Sequence, residues 1–141
     1  MGHAGTLDPL ATGLLIVCTG KFTKRIEKIQ GQKKTYTGQF TLGATTPSFD
    51  RETKASHTFD TAHITKQLLE ETAKQFVGKI KQIPPIFSAL KKDGKRLYDF
   101  ARKNEEVEIK ERKVMVHSFE ITDINFPEVS FKISCRKGTY I

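Results

Sequence analysis

Apolar and polar residues alternate most strictly over Val129, Phe131, Ile133 and Cys135, with Ser130, Lys132 and Ser134 between them. A period of two puts the four on one face of a strand. Tyr36, Gly38, Phe40 and Leu42 alternate in the same way with Thr35, Thr37, Gln39 and Thr41, which predicts a second, half-buried strand. Further strands are predicted over Val107–Ile109 and Val114 to Ile124, and a short buried one from Thr12 to Cys18. Helical spacing replaces alternation at Phe22, Ile26 and Ile29, which sit among basic residues. Ile64, Leu68 and Phe76, with Leu69 and Ala73 beside them, form one apolar helix face. Thr61 or Asp60 is suited to cap its start, and Gly78 follows its end. Pro84-Pro85 predicts extended backbone. Lys91-Lys92-Asp93-Gly94 predicts a basic turn, followed by a short helix through Leu97, Tyr98 and Ala101. Residues 43–60, rich in Gly, Thr, Ser and Asp, predict a loop. Strands mixed with two or three helices, without a repeating strand–helix alternation, predict an α+β domain. No internal repeat, low-complexity tract or linker interrupts it.

The length of 141 residues suits a single domain with a real core. Composition adds a charge bias: 24 Lys and Arg against 16 Asp and Glu give a formal charge of +8. Such an excess suits a polyanion, nucleic acid before an anionic membrane. The membrane has less support, because the chain lacks an amphipathic basic helix of useful length. Its longest apolar run, Leu14 to Cys18, is too short to cross a bilayer. No basic-then-apolar leader opens the sequence, so no secretory signal is expected. Cys18 and Cys135 form no C-x-x-C pair, and the four histidines show no metal-ligand spacing. The two cysteines are therefore expected to be buried free thiols in a reducing cytoplasm, with no metal site. Met1-Gly2 with Thr6 fits the loose myristoylation pattern, but these residues belong to a denser motif.

That motif is Gly2-His3-Ala4-Gly5-Thr6-Leu7-Asp8-Pro9-Leu10-Ala11-Thr12-Gly13. Its glycines permit tight turns and close backbone approach to a ligand. Pro9 biases Asp8 toward extended geometry and stiffens the turn that holds its carboxylate. Two readings stand side by side: Asp8 as an ordinary helix N-cap with Pro9 in the first turn, or Asp8 as a carboxylate held out for chemistry.

The stretch from Gly2 to Lys24 resembles the signature of the TruB-type tRNA pseudouridine synthases. The resemblance continues through Lys34-Thr35-Tyr36, Leu42-Gly43, Pro84 to Lys91, Gly94 to Tyr98, Ala101-Arg102 and Lys137-Gly138-Thr139-Tyr140-Ile141, in the family's order. Leu10-Ala11-Thr12-Gly13 and the loop from Thr45 to Asp50 fit the bacterial, stand-alone pattern better than the guide-RNA-dependent one. The resemblance implies a mixed, mainly antiparallel sheet with flanking helices. It also implies isomerisation of uridine to pseudouridine at position 55 in the T loop of tRNA, on a flipped-out base and without a cofactor.

It further implies that Asp8 is the catalytic carboxylate. Tyr36 would stack on the base and take up the final proton, and Tyr140 would be a second active-site tyrosine. His3 would fill the space that the extruded uridine leaves. Lys91, Lys95, Arg96 and Arg102 would contact RNA, within an insertion that closes over it. Each residue also has a plain alternative: a core aromatic for Tyr36, a strand end for Tyr140, a packing residue for His3, solvated surface for the basic groups.

The expected partner is the tRNA T stem-loop, with no membrane and no obligatory protein partner, and with a monomeric cytoplasmic enzyme at full length. The family has an earlier strand with a Lys-Pro block, an arginine after Ile141 that partners the aspartate, and a C-terminal RNA-binding domain. Residues 1–141 are thus expected to be a partial catalytic domain. Thr46 and Pro47 replace an aspartate frequent in the family. A non-catalytic RNA-binding or tRNA-folding module and a guide-RNA-dependent synthase are the rival readings.

Overall fold

The computed structural model describes residues 1–86, 91–92, 95–96 and 109–141. In chain order the elements are β1 (Gly2–His3), β2 (Val17–Cys18), a 3-10 turn (Gly20–Arg25) leading into α1 (Ile26–Gln30), and β3 (Lys34–Thr41). Then come β4 (Ala44–Thr45), β5 (His57–Thr58), α2 (Lys66–Gln75), β6 (Gly78–Gln82), β7 (Lys91–Lys92), β8 (Lys95–Arg96), β9 (Arg112–Asn125) and β10 (Glu128–Cys135). The class is α+β, as the mixture of periodicities predicts.

The frame is an antiparallel sheet of four strands in the order β3-β10-β9-β6. Its central strand, β10, is the one with the strictest alternation. It pairs over its whole length with β3, from Glu128 opposite Thr41 to Cys135 opposite Lys34. On its other side β9 is longer and slips register between Ser130 and Phe131 and between Ser134 and Cys135. Such bulges bend and twist a long strand so that it keeps contact with a shorter partner.

The alternation puts Tyr36, Gly38 and Phe40 of β3 on the same face as Ile133, Phe131 and Val129 of β10, each opposite its partner. Val116, Ile133 and Cys135 form the core, with Ile80, Phe119 and Phe131 packed against them. A chain of rings crosses this face: Phe40 to Phe131 at 5.9 Å, Phe131 to Phe119 at 5.8 Å, and Phe119 to Phe76, after α2, at 6.2 Å. Two of these contacts are edge-on, the arrangement that aligns ring edges with ring faces. Ala73 is the buried residue of α2.

Several expectations change. The helix is capped by Thr65, not by Thr61 or Asp60: the Leu68 N–H donates to Thr65 Oγ1 at 3.2 Å. Asp60 instead accepts from the Ala62 N–H in the preceding turn. From Thr12 to Cys18 only Val17–Cys18 is strand, and it pairs with Gly2–His3 alone. Leu14 is 84% exposed and Leu10 64%. Apolar character marked this run for burial, but no described strand or helix covers it. Residues 43–60 are mostly loop, tied by the small β4–β5 ribbon. Lys91 and Lys92 of the expected basic turn pair with Arg96 and Lys95 as β7 and β8, and residues 93 and 94 lie outside the described residues. The helix through Leu97 to Ala101 lies outside the described residues, as do residues 107 and 108 of the strand expected before β9. Cys18 and Cys135 are buried free thiols, as expected.

The ring chain depends on Gly38. A Cβ there would stand 2.9 Å from Phe131 Cζ and 3.2 Å from Cε1. Phe131 is flanked by two other rings, so it has little room to yield. Gly38→Val is expected to destabilise the protein by about 1–3 kcal/mol, read as a lower urea midpoint. An unchanged midpoint would contradict this account of the packing.

Candidate active site

The loop from Gly5 to Leu15 leaves and re-enters the fold at one place. Its ends are clamped by the β1–β2 pairing, Gly2 opposite Cys18 and His3 opposite Val17, and by the Ala4 N–H donating to the Ile16 carbonyl at 2.9 Å. Within it the Ala11 N–H donates to the Asp8 carbonyl at 2.9 Å, closing the turn Asp8-Pro9-Leu10-Ala11. Proline at the second position of such a turn is favoured because its φ is already set. No helix follows this turn, so the N-cap reading of Asp8 fails and the carboxylate is held out at an exposed turn. Gly5, with φ of +147°, lets the chain leave β1 in a conformation other residues rarely adopt. His3 Nδ1 donates to the Gly5 carbonyl oxygen, which fixes the ring's tautomer in this pose. His3, Gly5, Thr6, Leu7 and Leu15 line an open cleft of about 300 Å³.

Asp8 lies close enough to Tyr36 for its charge to be felt there. The Tyr36 phenol is held above its ordinary value of 10.0, first by burial, then by the Cys135 thiol and by the Asp8 carboxylate. Tyr36 is still 37% exposed, so one part of the ring is free for a ligand. Cys135 is 1% exposed, and burial pushes its thiol up, opposed by the nearby Thr139 side chain and by the charge of Lys34. The uncharged phenol and thiol sit side by side because β3 and β10 put Tyr36 and Cys135 on one face.

Beyond Cys135 the chain turns through Gly138, whose φ of +89° suits glycine, with Thr139 Oγ1 donating to the Arg136 carbonyl at 3.0 Å. Tyr140 follows, and its backbone is bound by the Gln82 side chain. Lysines gather beside this path. Lys34 Nζ donates to the Gln30 carbonyl at 2.6 Å, and Lys137 Nζ to Gln30 Oε1 at 3.4 Å.

The charge of Asp8 thus reaches Tyr36, His3 stands on β1 where the loop of Asp8 begins, and Tyr140 lies in the turn that follows Cys135. Lys91, Lys95 and Arg96 fall on the paired strands β7 and β8; Arg102 lies outside the described residues. A second cleft, of about 350 Å³, is lined by Phe40, Phe49, Asp50, Arg51 and Glu128 among others, toward the other end of β3. It holds none of the predicted site residues. Sequence reasoning missed Cys135, Thr139 and Gln82 as neighbours of the site. Alternation did contain the signal for Cys135, since it shares a face with Ile133 opposite the strand of Tyr36. Among the described residues no group of His, Cys, Asp and Glu is arranged to hold a metal, and no helix is long and apolar enough to cross a membrane.

The family model described as "TruB family pseudouridylate synthase (N terminal domain)" matches residues 1–141. The chain belongs to the TruB pseudouridylate synthase family. Two TruB relatives match all of it: the tRNA pseudouridine synthase B of Flavobacterium johnsoniae at 62% identity and that of Phocaeicola vulgatus at 55%. The chain covers 62% and 60% of their lengths, so it spans about three fifths of the curated TruB relatives it matches. Among solved structures, a chain of a Cbf5-Nop10-Gar1 complex is similar at 25% identity with a TM-score of 0.68, over 99% of this chain and 32% of that one. The TruB fold expected from the sequence is the fold observed.

The influence of the Asp8 charge on Tyr36 has a direct readout. Alkaline absorbance titration of Tyr36→Phe should lack the phenol that titrates above 10.0. Asp8→Asn should move that midpoint down without returning it to the ordinary value, since burial is the larger cause. An unmoved midpoint in Asp8→Asn would separate the two residues. Because the folded pKa is raised, the associated stability is fully present below the unfolded value and is lost as pH rises through the folded one.

Proposed function

We propose that the protein isomerises uridine to pseudouridine at position 55 in the T loop of tRNA, with Asp8 acting on a flipped-out uridine. The observation that carries this reading is the carboxylate of Asp8, held at a proline-stiffened turn within electrostatic reach of the half-exposed Tyr36, in a chain of the TruB family. The names of its relatives supply the tRNA substrate class.

In the reaction the N1–C1′ bond breaks, the base turns, and C1′ joins C5. C5 then loses a proton and N1 gains one, so atoms and electrons balance without a redox partner. Cleavage builds positive charge on the sugar, which a fixed carboxylate stabilises or traps covalently. A neutral phenol suits stacking and hydrogen-bond donation, so the raised pKa of Tyr36 favours its stacking role over proton uptake. His3 and Tyr140 complete the contacts to the extruded base and the space it leaves. Flipping a base out costs a few kcal/mol, and phosphate contacts from Lys91, Lys95, Arg96 and Arg102, beside Lys34 and Lys137, help to offset it. The reading includes a cytoplasmic enzyme that is monomeric at full length and needs no guide RNA or protein partner.

Residues 1–141 are, on this reading, part of a larger catalytic domain. The exposed leucines 10, 14 and 15 support it, since fully burying each would contribute about 1.5–3 kcal/mol. The remainder of the domain would cover them, and the arginine that the family places after Ile141 would partner Asp8.

In the full-length protein Asp8→Asn is expected to abolish tritium release from C5-labelled uridine in unmodified tRNA while tRNA binding persists. Near-normal turnover would sink the assignment, and inactivity of the wild type would favour a non-catalytic RNA-binding module. A bare T stem-loop should be modified without any guide. Residues 1–141 alone are expected to melt lower and be less soluble than the full-length protein. Equal behaviour would refute the partial-domain reading.

A further inference from the structure

Gln82 is the last residue of β6, yet its side chain acts far from β6's own ladder. Its Nε2 donates to the Tyr140 carbonyl at 2.7 Å, and its Oε1 accepts from the Tyr140 N–H at 2.9 Å. The two bonds join residues 58 apart in a part-buried setting. One primary amide thus satisfies both main-chain polar groups of one residue, as a neighbouring strand would do. Among the described residues no other hydrogen bond holds Tyr140: Thr139 binds back to Arg136, and the Arg136 N–H donates to Met115. The ladder from β10 therefore ends four residues before the tyrosine.

We infer that Gln82 is a positioning residue for the proposed isomerisation, fixing the backbone of Tyr140 and with it the place of its phenol. The inference rests on the isomerase reading and names a group outside the motifs that carry it. Two features favour Gln82 over a water or a mobile side chain. It stands at the end of a paired strand, opposite Arg112 of β9, so its Cα is fixed. Pro84 and Pro85 follow it and stiffen the chain on its other side. An amide also has a donor and an acceptor side by side, which no carboxylate or ammonium offers. A side chain misplaced by about 1 Å can cost on the order of 100-fold in rate, so a clamp on main chain is enough to matter without touching the substrate.

Gln82→Met in the full-length protein keeps the volume and removes both bonds. Two measurements read it. By hydrogen exchange, the Tyr140 amide should lose protection while the Arg136 amide keeps it, which also shows that the sheet remains folded. In turnover, kcat should fall about 10- to 100-fold with KM for the tRNA unchanged. Gln82→Glu retains the acceptor but sets a carboxylate oxygen against the Tyr140 carbonyl, so kcat should fall at least as far as in Gln82→Met, and this variant also serves if Gln82→Met unfolds. A protected Tyr140 amide in Gln82→Met would overturn the clamp. Lost protection with full kcat would overturn its role in positioning. An inactive wild-type protein would count against the isomerase reading instead, and the clamp would still be read from exchange.

Discussion

The pairing of β10 with β3 is the constraint on which the rest depends. It is a continuous antiparallel ladder of eight residue pairs, from Glu128–Thr41 to Cys135–Lys34. Because side chains alternate with a period of two, a slip of one residue would send every member of the face to the opposite side. The register is what puts Tyr36 beside Cys135, Gly38 under Phe131 and Lys34 at the end where the chain leaves for Tyr140. The polar face is tied as well: Thr35 and Ser134 hydroxyls hydrogen-bond at 2.8 Å, and Gln39 donates to Ser130 at 3.1 Å. Register is thereby specified from both sides of the sheet.

The site follows from that ladder by simple electrostatics. Burial raises the pKa of Tyr36 and Cys135, the groups nearest the sheet, while the Asp8 carboxylate and the Lys34 and Lys137 side chains lie at its margin. This division suits a reaction in which one carboxylate faces a developing cation and the base needs only a flat apolar neighbour. A dense set of ionised groups against the ring would work against both. The lysines at Gln30 have their Nζ atoms on α1's last carbonyl and side chain, the end of a helix where positive charge is favoured.

Legibility in the sequence followed the range of the interaction involved. β3, β9 and β10 were readable because alternation is a local signal that the sheet then uses directly. The apolar face of α2 was readable too, but its cap was not: Thr61, Asp60 and Thr65 are all good caps, and only the path of the chain selects Thr65. The run from Thr12 to Cys18 misled because composition reports the tendency to be buried, whereas a strand also needs a partner. Asp8 was singled out by its motif, and the choice between cap and exposed carboxylate turned on whether a helix followed Pro9. Gln82 carried no signal at all, since a side chain that binds the main chain 58 residues away leaves no periodic trace.

The span of the central ladder also has a consequence for how the chain is made. The Thr35–Ser134 bond joins residues 99 apart in sequence, a separation that makes β3 a late joiner in folding, behind the local β9–β10 hairpin. At ribosomal rates of about 5–20 residues per second, β3 waits roughly 5–20 s for its partner to be synthesised. Throughout that interval both its hydrogen-bonding edges are open on the nascent chain. The threonines at 35, 37 and 41, with Lys33 just before the strand, then act as its own protection against self-association, before the threonines take the polar face of the finished sheet.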